Sequence, residues 1–146
     1  MKAPLLAVTF VSLFATFAHA RVGDTMKQIE ARYGKPQHVY IERERPGVRK
    51  LGYRFAGLMV IVCFKDGISK WESFTGWPEG DRLPRLSRQT VNMLLALSAR
   101  EGTSWQPIPR TKNGEYWVSS DKKTLAFFAD EGKSVLVRDP NFSDSD

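Results

Sequence analysis

From Leu58 to Phe64 the chain carries no polar residue, and the rest of the pattern is arranged around this run. In an extended strand Leu58, Val60, Val62 and Phe64 point one way, and Met59, Ile61 and Cys63 the other. Most antiparallel strands wet one face. A strand apolar on both sides therefore predicts burial between two layers, or a second face met by a partner. Upstream, Met26, Ile29 and Tyr33 recur at helical spacing. Thr25 with Gln28 fits a capping box, while Gly34 and Pro36 stop the chain, so a helix is predicted over Met26 to Tyr33. Two helical turns do not stand alone in water and must pack on a sheet.

The same reading places strands over Gln37 to Glu42, Val48 to Phe55, Leu58 to Phe64 and Ile68 to Phe74, with Asp66-Gly67 closing a tight hairpin. Residues 75–85 hold two Pro and two Gly and predict a link between halves. Ser87 caps a second helix from Arg88 to Glu101, and Gly102 ends it. Ser104 to Asn113, with its prolines, reads as a connection around Trp105. Strands follow over Glu115 to Ser119, Thr124 to Ala129 and Ser134 to Arg138. The expected class is α+β: short helices on antiparallel sheet, in the order α-ββββ-α-βββ. Acidic-Gly turns end an apolar strand in both halves, at Asp66-Gly67 and near Gly132, which suggests tandem helix-plus-sheet units. The units are 21–77 and 86–138, linked by 78–85, with a disordered acidic tail over 139–146.

The first twenty residues change the picture of where the chain works. Lys2, the apolar stretch Leu5 to Phe17 and the A-x-A site at Ala18-His19-Ala20 predict a signal peptide cleaved after Ala20. The mature chain would be periplasmic or secreted, a single domain of 126 residues. Its net charge is +5, because Lys2 leaves with the leader and the whole chain carries +6. Basic and acidic residues interleave, as in Glu42-Arg43-Glu44-Arg45, which argues against nucleic acid as a partner. Weak contact with anionic lipid or cell-wall polymer stays open. Cys63 is the lone cysteine, so no internal disulfide can form, and its apolar setting predicts a small buried hydrophobe.

The first half resembles the small outer-membrane lipoprotein A domain, the fold of the small subunit of the outer-membrane protein assembly machinery. The matching residues are Gly23, Thr25, Ile29, Gly34 and Pro36, then Tyr53 and Phe55, the alternating Leu58, Val60, Val62 and Phe64, and Asp66-Gly67 with Trp71. The two-half layout resembles the beta-lactamase inhibitor protein, a family that binds an enzyme through a concave, aromatic-rich sheet. These resemblances imply a protein-binding role in the cell envelope. The lipid-anchor cysteine of the first family and the disulfides of the second have no counterpart here.

Candidate chemistry is thin. His38 is the single histidine of the mature chain and cannot build a His-cluster metal site. Glu42 and Glu44, flanked by Arg43 and Arg45, read as a charged edge strand. No phosphate-binding or dinucleotide glycine pattern occurs, and no cofactor is expected. The aromatic residues are the better signal, because Trp and Tyr dominate interaction hot spots. Trp77 and Trp105, in predicted loops, with Phe74 and Trp117, form the candidate anchors; Arg43 and Arg45 would steer the encounter. The expected function is non-catalytic protein binding in the envelope, as an accessory in outer-membrane assembly or maintenance. A secreted inhibitor of a hydrolase is the alternative, and a small hydrolase using His38 the third. A homodimer would account for the two-faced apolar strand.

Overall fold

The structure, a computed structural model, describes residues 21–41, 45–129 and 131–143. The expected leader (1–20), Glu42, Arg43, Glu44 and the last three residues lie outside that range. The described chain forms helix α1 (Met26–Tyr33), strands β1 (His38–Tyr40), β2 (Val48–Phe55), β3 (Leu58–Lys65) and β4 (Ile68–Gly76), and helix α2 (Arg88–Ser98). Strands β5 (Trp105–Thr111), β6 (Gly114–Ser119), β7 (Leu125–Ala129) and β8 (Ser134–Arg138) follow. The class is α+β, and every strand pairing is antiparallel.

The helix starts follow the sequence rules. Thr25 Oγ1 accepts from the Gln28 backbone N–H at 3.3 Å, and the Gln28 side chain accepts from the Thr25 N–H at 2.8 Å. Ser87 Oγ caps α2 by accepting from the Thr90 N–H at 3.1 Å. Asp66 and Gly67 both take positive φ, 52° and 81°, as a tight hairpin turn between right-twisted strands requires. Ala56 and Gly57 repeat that geometry between β2 and β3.

Two meanders join into one sheet of eight strands in the order β1-β2-β3-β4-β8-β7-β6-β5. The seam is β4 against β8, with Trp71 opposite Arg138 and Phe74 opposite Val135. Both helices lie on one face. Ile29 and Tyr33 of α1 and Val91, Leu94 and Leu95 of α2 share one core with Leu51, Tyr53, Val60, Val62, Phe64, Phe74, Val135 and Val137. The register puts all of those strand residues on the same side of the sheet.

Three expectations need correction. Ser104 to Asn113 is not a connection, because Trp105–Thr111 forms β5 against β6, which makes eight strands rather than seven. Pro107 and Pro109 are tolerated there because β5 is a sheet edge, where a missing N–H need not break a ladder. Helix α2 ends at Ser98 instead of Glu101. The chain leaves the helix at Ala99, which turns to extended φ and ψ of −69° and 135°, and Arg100 to Thr103 closes a separate turn; the Leu95 carbonyl accepts the Trp105 indole N–H at 2.6 Å. The tail is ordered at least to residue 143, since Phe142 is buried against Val48 and Cys63, with Trp71 alongside.

Candidate interaction surface

A strand sends alternate side chains to opposite faces, so the register of all eight strands defines what stands on the side away from the helices. One row crosses the whole sheet there: His38, Gly52, Ile61, Ser73, Leu136, Phe127, Tyr116 and Ile108. Ile61, Leu136, Phe127 and Tyr116 are half-buried, and Ile108 is exposed. The Tyr116 and Phe127 rings stack at 4.5 Å between centroids. The adjacent row holds Tyr40, Lys50, Cys63, Trp71, Arg138, Leu125 and Val118. On the other side of the first row stand Arg54, Met59 and Thr75. At Gly52 an added Cβ would come within 3.3 Å of the Tyr40 ring and the His38 Cβ, so glycine lets those side chains lie flat on the strand.

The charge on this face has one sign. Lys50, Arg54, Lys65 and Arg138 occupy it by register, and none of its strand positions carries Asp or Glu. Two of the cations sit over aromatic rings. The Arg54 guanidinium is 4.5 Å from the Trp77 ring centre, and the Lys50 ammonium is 5.4 Å from that of Trp71. Arg138 donates to the Phe142 carbonyl and so ties the C-terminal segment down over one end of the face, where it covers Cys63.

The anchors expected from sequence are divided by this sheet. Trp77 is half-buried and, with Arg54 over its ring, borders the open face. Trp105 packs against the core on the helix side, with its N–H given to Leu95, because its loop is in fact β5. Trp117 also packs against that core, on the helix side by register. Phe74 is 1% exposed and belongs to the core, so its ring offers nothing to a partner: it alternates inward opposite Val60. Arg45 is half-buried in the turn before β2. Arg43 lies outside the described residues. His38 is exposed at β1, and among the described residues no hydrogen bond holds its ring.

The sequence reading placed Ile61 on the second face of the central strand but missed Leu136 and Phe127 beside it. The signal was present: Leu125-Ala126-Phe127-Phe128 and Val135-Leu136-Val137 are apolar on both strand faces, as Leu58 to Phe64 is. It also missed Glu72, a carboxyl 1% exposed on the core side of β4. Tyr33 Oη donates to Glu72 Oε2 at 2.7 Å, while Oε1 has no hydrogen-bond partner. Burial, only partly offset by the Tyr33 hydrogen bond and the Arg32 charge, pushes this carboxyl up to about 7. Burial first, and then the Glu72 charge, drive the Tyr33 phenol far above its ordinary range. Arg32 is held in turn by Asp24, with Nη2 to Oδ2 at 2.5 Å.

Among the described residues no group of three His, Cys, Asp or Glu is placed to hold a metal, and no helix is long and apolar enough to cross a membrane. No family model and no curated protein matches the chain. A similar solved structure is that of a cysteine-rich secretory protein from Staphylococcus aureus subsp. aureus Mu50, at 14% identity and a TM-score of 0.46. The match covers 82% of this chain and 44% of that one, so the chain spans less than half of that protein's length. A likeness of this size carries no argument about function.

Proposed function

We propose that this chain is an exported, non-catalytic protein-binding module of the cell envelope that grips its partner with the open sheet face. The observation that carries the reading is the row Ile61, Leu136, Phe127, Tyr116 and Ile108, flanked by Lys50, Arg54 and Arg138 with no acidic residue among them. An apolar, aromatic centre with a cationic rim fits a protein ridge of apolar side chains edged by carboxylates. The rigid sheet presents these side chains already arranged, which lowers the ordering cost of docking. The resemblance to the outer-membrane assembly domain supports a place in assembly or maintenance of that membrane. Reading the two meanders as tandem helix-plus-sheet units supports the second reading, a secreted inhibitor of a hydrolase, which would use the same face.

The test is capture of partners from an envelope extract by the tagged chain, compared with Phe127→Lys and Leu136→Lys. Both side chains are half-buried on the open face, and neither belongs to the helix-side core. Each variant is expected to fold and to lose the partner recovered by the parent chain. Membrane assembly proteins among the captured species would support the accessory role, and one soluble enzyme at one-to-one stoichiometry the inhibitor. Retention of the same partner by both variants would remove the open face from the mechanism.

A further inference from the structure

The two edges of the sheet are built differently. At β5, Pro107 and Pro109 present no N–H, so a strand arriving there finds donors missing from the ladder. At β1 no proline interrupts the strand, and its outer side pairs with no other strand of the sheet. Beyond Gln37 and His38, three side chains along that edge are apolar and uncovered: Val39 is 64% exposed, Tyr40 41% and Ile41 80%. Helix α1 lies on the same face as Val39, yet it leaves that side chain in solvent. The edge is also neutral. Gln37 to Ile41 contains no Asp, Glu, Lys or Arg, in a chain whose net charge is +6.

We infer that β1 is the seat of a homodimer, in which the β1 strands of two copies pair antiparallel and continue the two sheets into one. An antiparallel pair of identical strands has a two-fold axis, so each Val39, Tyr40 and Ile41 meets the same apolar set on its mate. Because the stretch bears no fixed charge, two cationic chains can approach along it without like-charge contact. The prolines at the opposite edge decide the outcome of assembly. A β1-to-β5 contact would repeat head to tail and grow without end, and Pro107 and Pro109 disfavour it. Only the self-closing pair is left, so association stops at two. A three-residue strand buries less than a standard interface, so the dimer forms at high protein concentration and dissociates on dilution. Apart from Tyr40 at its rim, the open face of each copy is not used in the contact.

Sedimentation equilibrium of the purified chain over a wide concentration range tests this. The mass should rise from one chain to two and go no further. Val39→Lys with Ile41→Lys should hold it at one chain while leaving the thermal melt unchanged, since both side chains are solvent-exposed. As a second measurement, Tyr40→Cys should cross-link between copies with a short bismaleimide, and Ile108→Cys on the opposite edge should not. Cys63 is buried and does not compete. A single-chain mass at every concentration overturns the inference. So does growth beyond two chains, or a doubled mass indifferent to the lysine pair. A chain that stays single but binds an added extended apolar peptide at β1 would also overturn it, in favour of a foreign strand.

Discussion

Glu72 is a carboxyl placed where a core should have an aliphatic residue, between Val62 and Val137 across the sheet. Its consequence is a pH dependence of stability. In the unfolded chain it titrates at an ordinary value near 4.5, and in the folded chain near 7. Between those values the folded state holds a proton that the unfolded state has lost, so stability falls as pH rises through this window. Above it the full cost, on the order of 3 kcal/mol, is in place. Glu72→Gln keeps an acceptor for Tyr33 Oη and removes the titration. The variant's melting temperature should exceed that of the parent by a margin that widens from pH 5 to pH 8. A margin constant with pH would show that the carboxyl titrates normally. Trp105 gives a second prediction at this scale. Trp105→Phe removes the N–H that reaches the Leu95 carbonyl and should cost about 1 kcal/mol in urea unfolding, with partner capture unchanged. Loss of capture in a folded Trp105→Phe protein would return this residue to the binding surface.

Elements were legible in the sequence where local chemistry alone decides them. Helix α1 runs over the expected residues because its cap, stripe and glycine stop all lie within a dozen positions. The Asp66-Gly67 hairpin is equally local. What escaped depends on position in the sheet. Pro107 and Pro109 read as loop residues until β5 is known to be an edge, and Phe74 reads as an anchor until its alternation against Val60 is fixed. The open-face row is assembled from all eight strands, and no spacing along the chain announces it. The C-terminal segment was misread for a related reason. Its composition is polar, but the single Phe142 finds a slot over Val48 and Cys63. Phe142 is 8% exposed and Cys63 fully buried, so the thiol should resist a water-soluble disulfide reagent in the native protein. Phe142→Ala should raise the labelling rate at least tenfold with the fold intact. An unchanged rate would mean that the segment does not shield the thiol.

At the scale of the whole molecule, docking through the one-signed open face, as proposed, would have its kinetics set by charge. If the partner is acidic, salt should slow association far more than it speeds dissociation, and Arg54→Ala should lower the association rate several-fold. Association indifferent to ionic strength would argue for an uncharged partner. The seam between β4 and β8 has a different reach. Trp71 and Arg138, which face each other across it, lie nearly half the chain apart in sequence. β8, which comes after every other strand of the described chain, is thus a central strand of the sheet. Until β8 arrives, β4 has a bare edge beside an apolar core, and β7 has another. A chain emerging N-terminus first cannot complete this sheet until β8 has emerged. The sheet therefore has a built-in delay: its two halves become one body only when β8 is in place between β4 and β7.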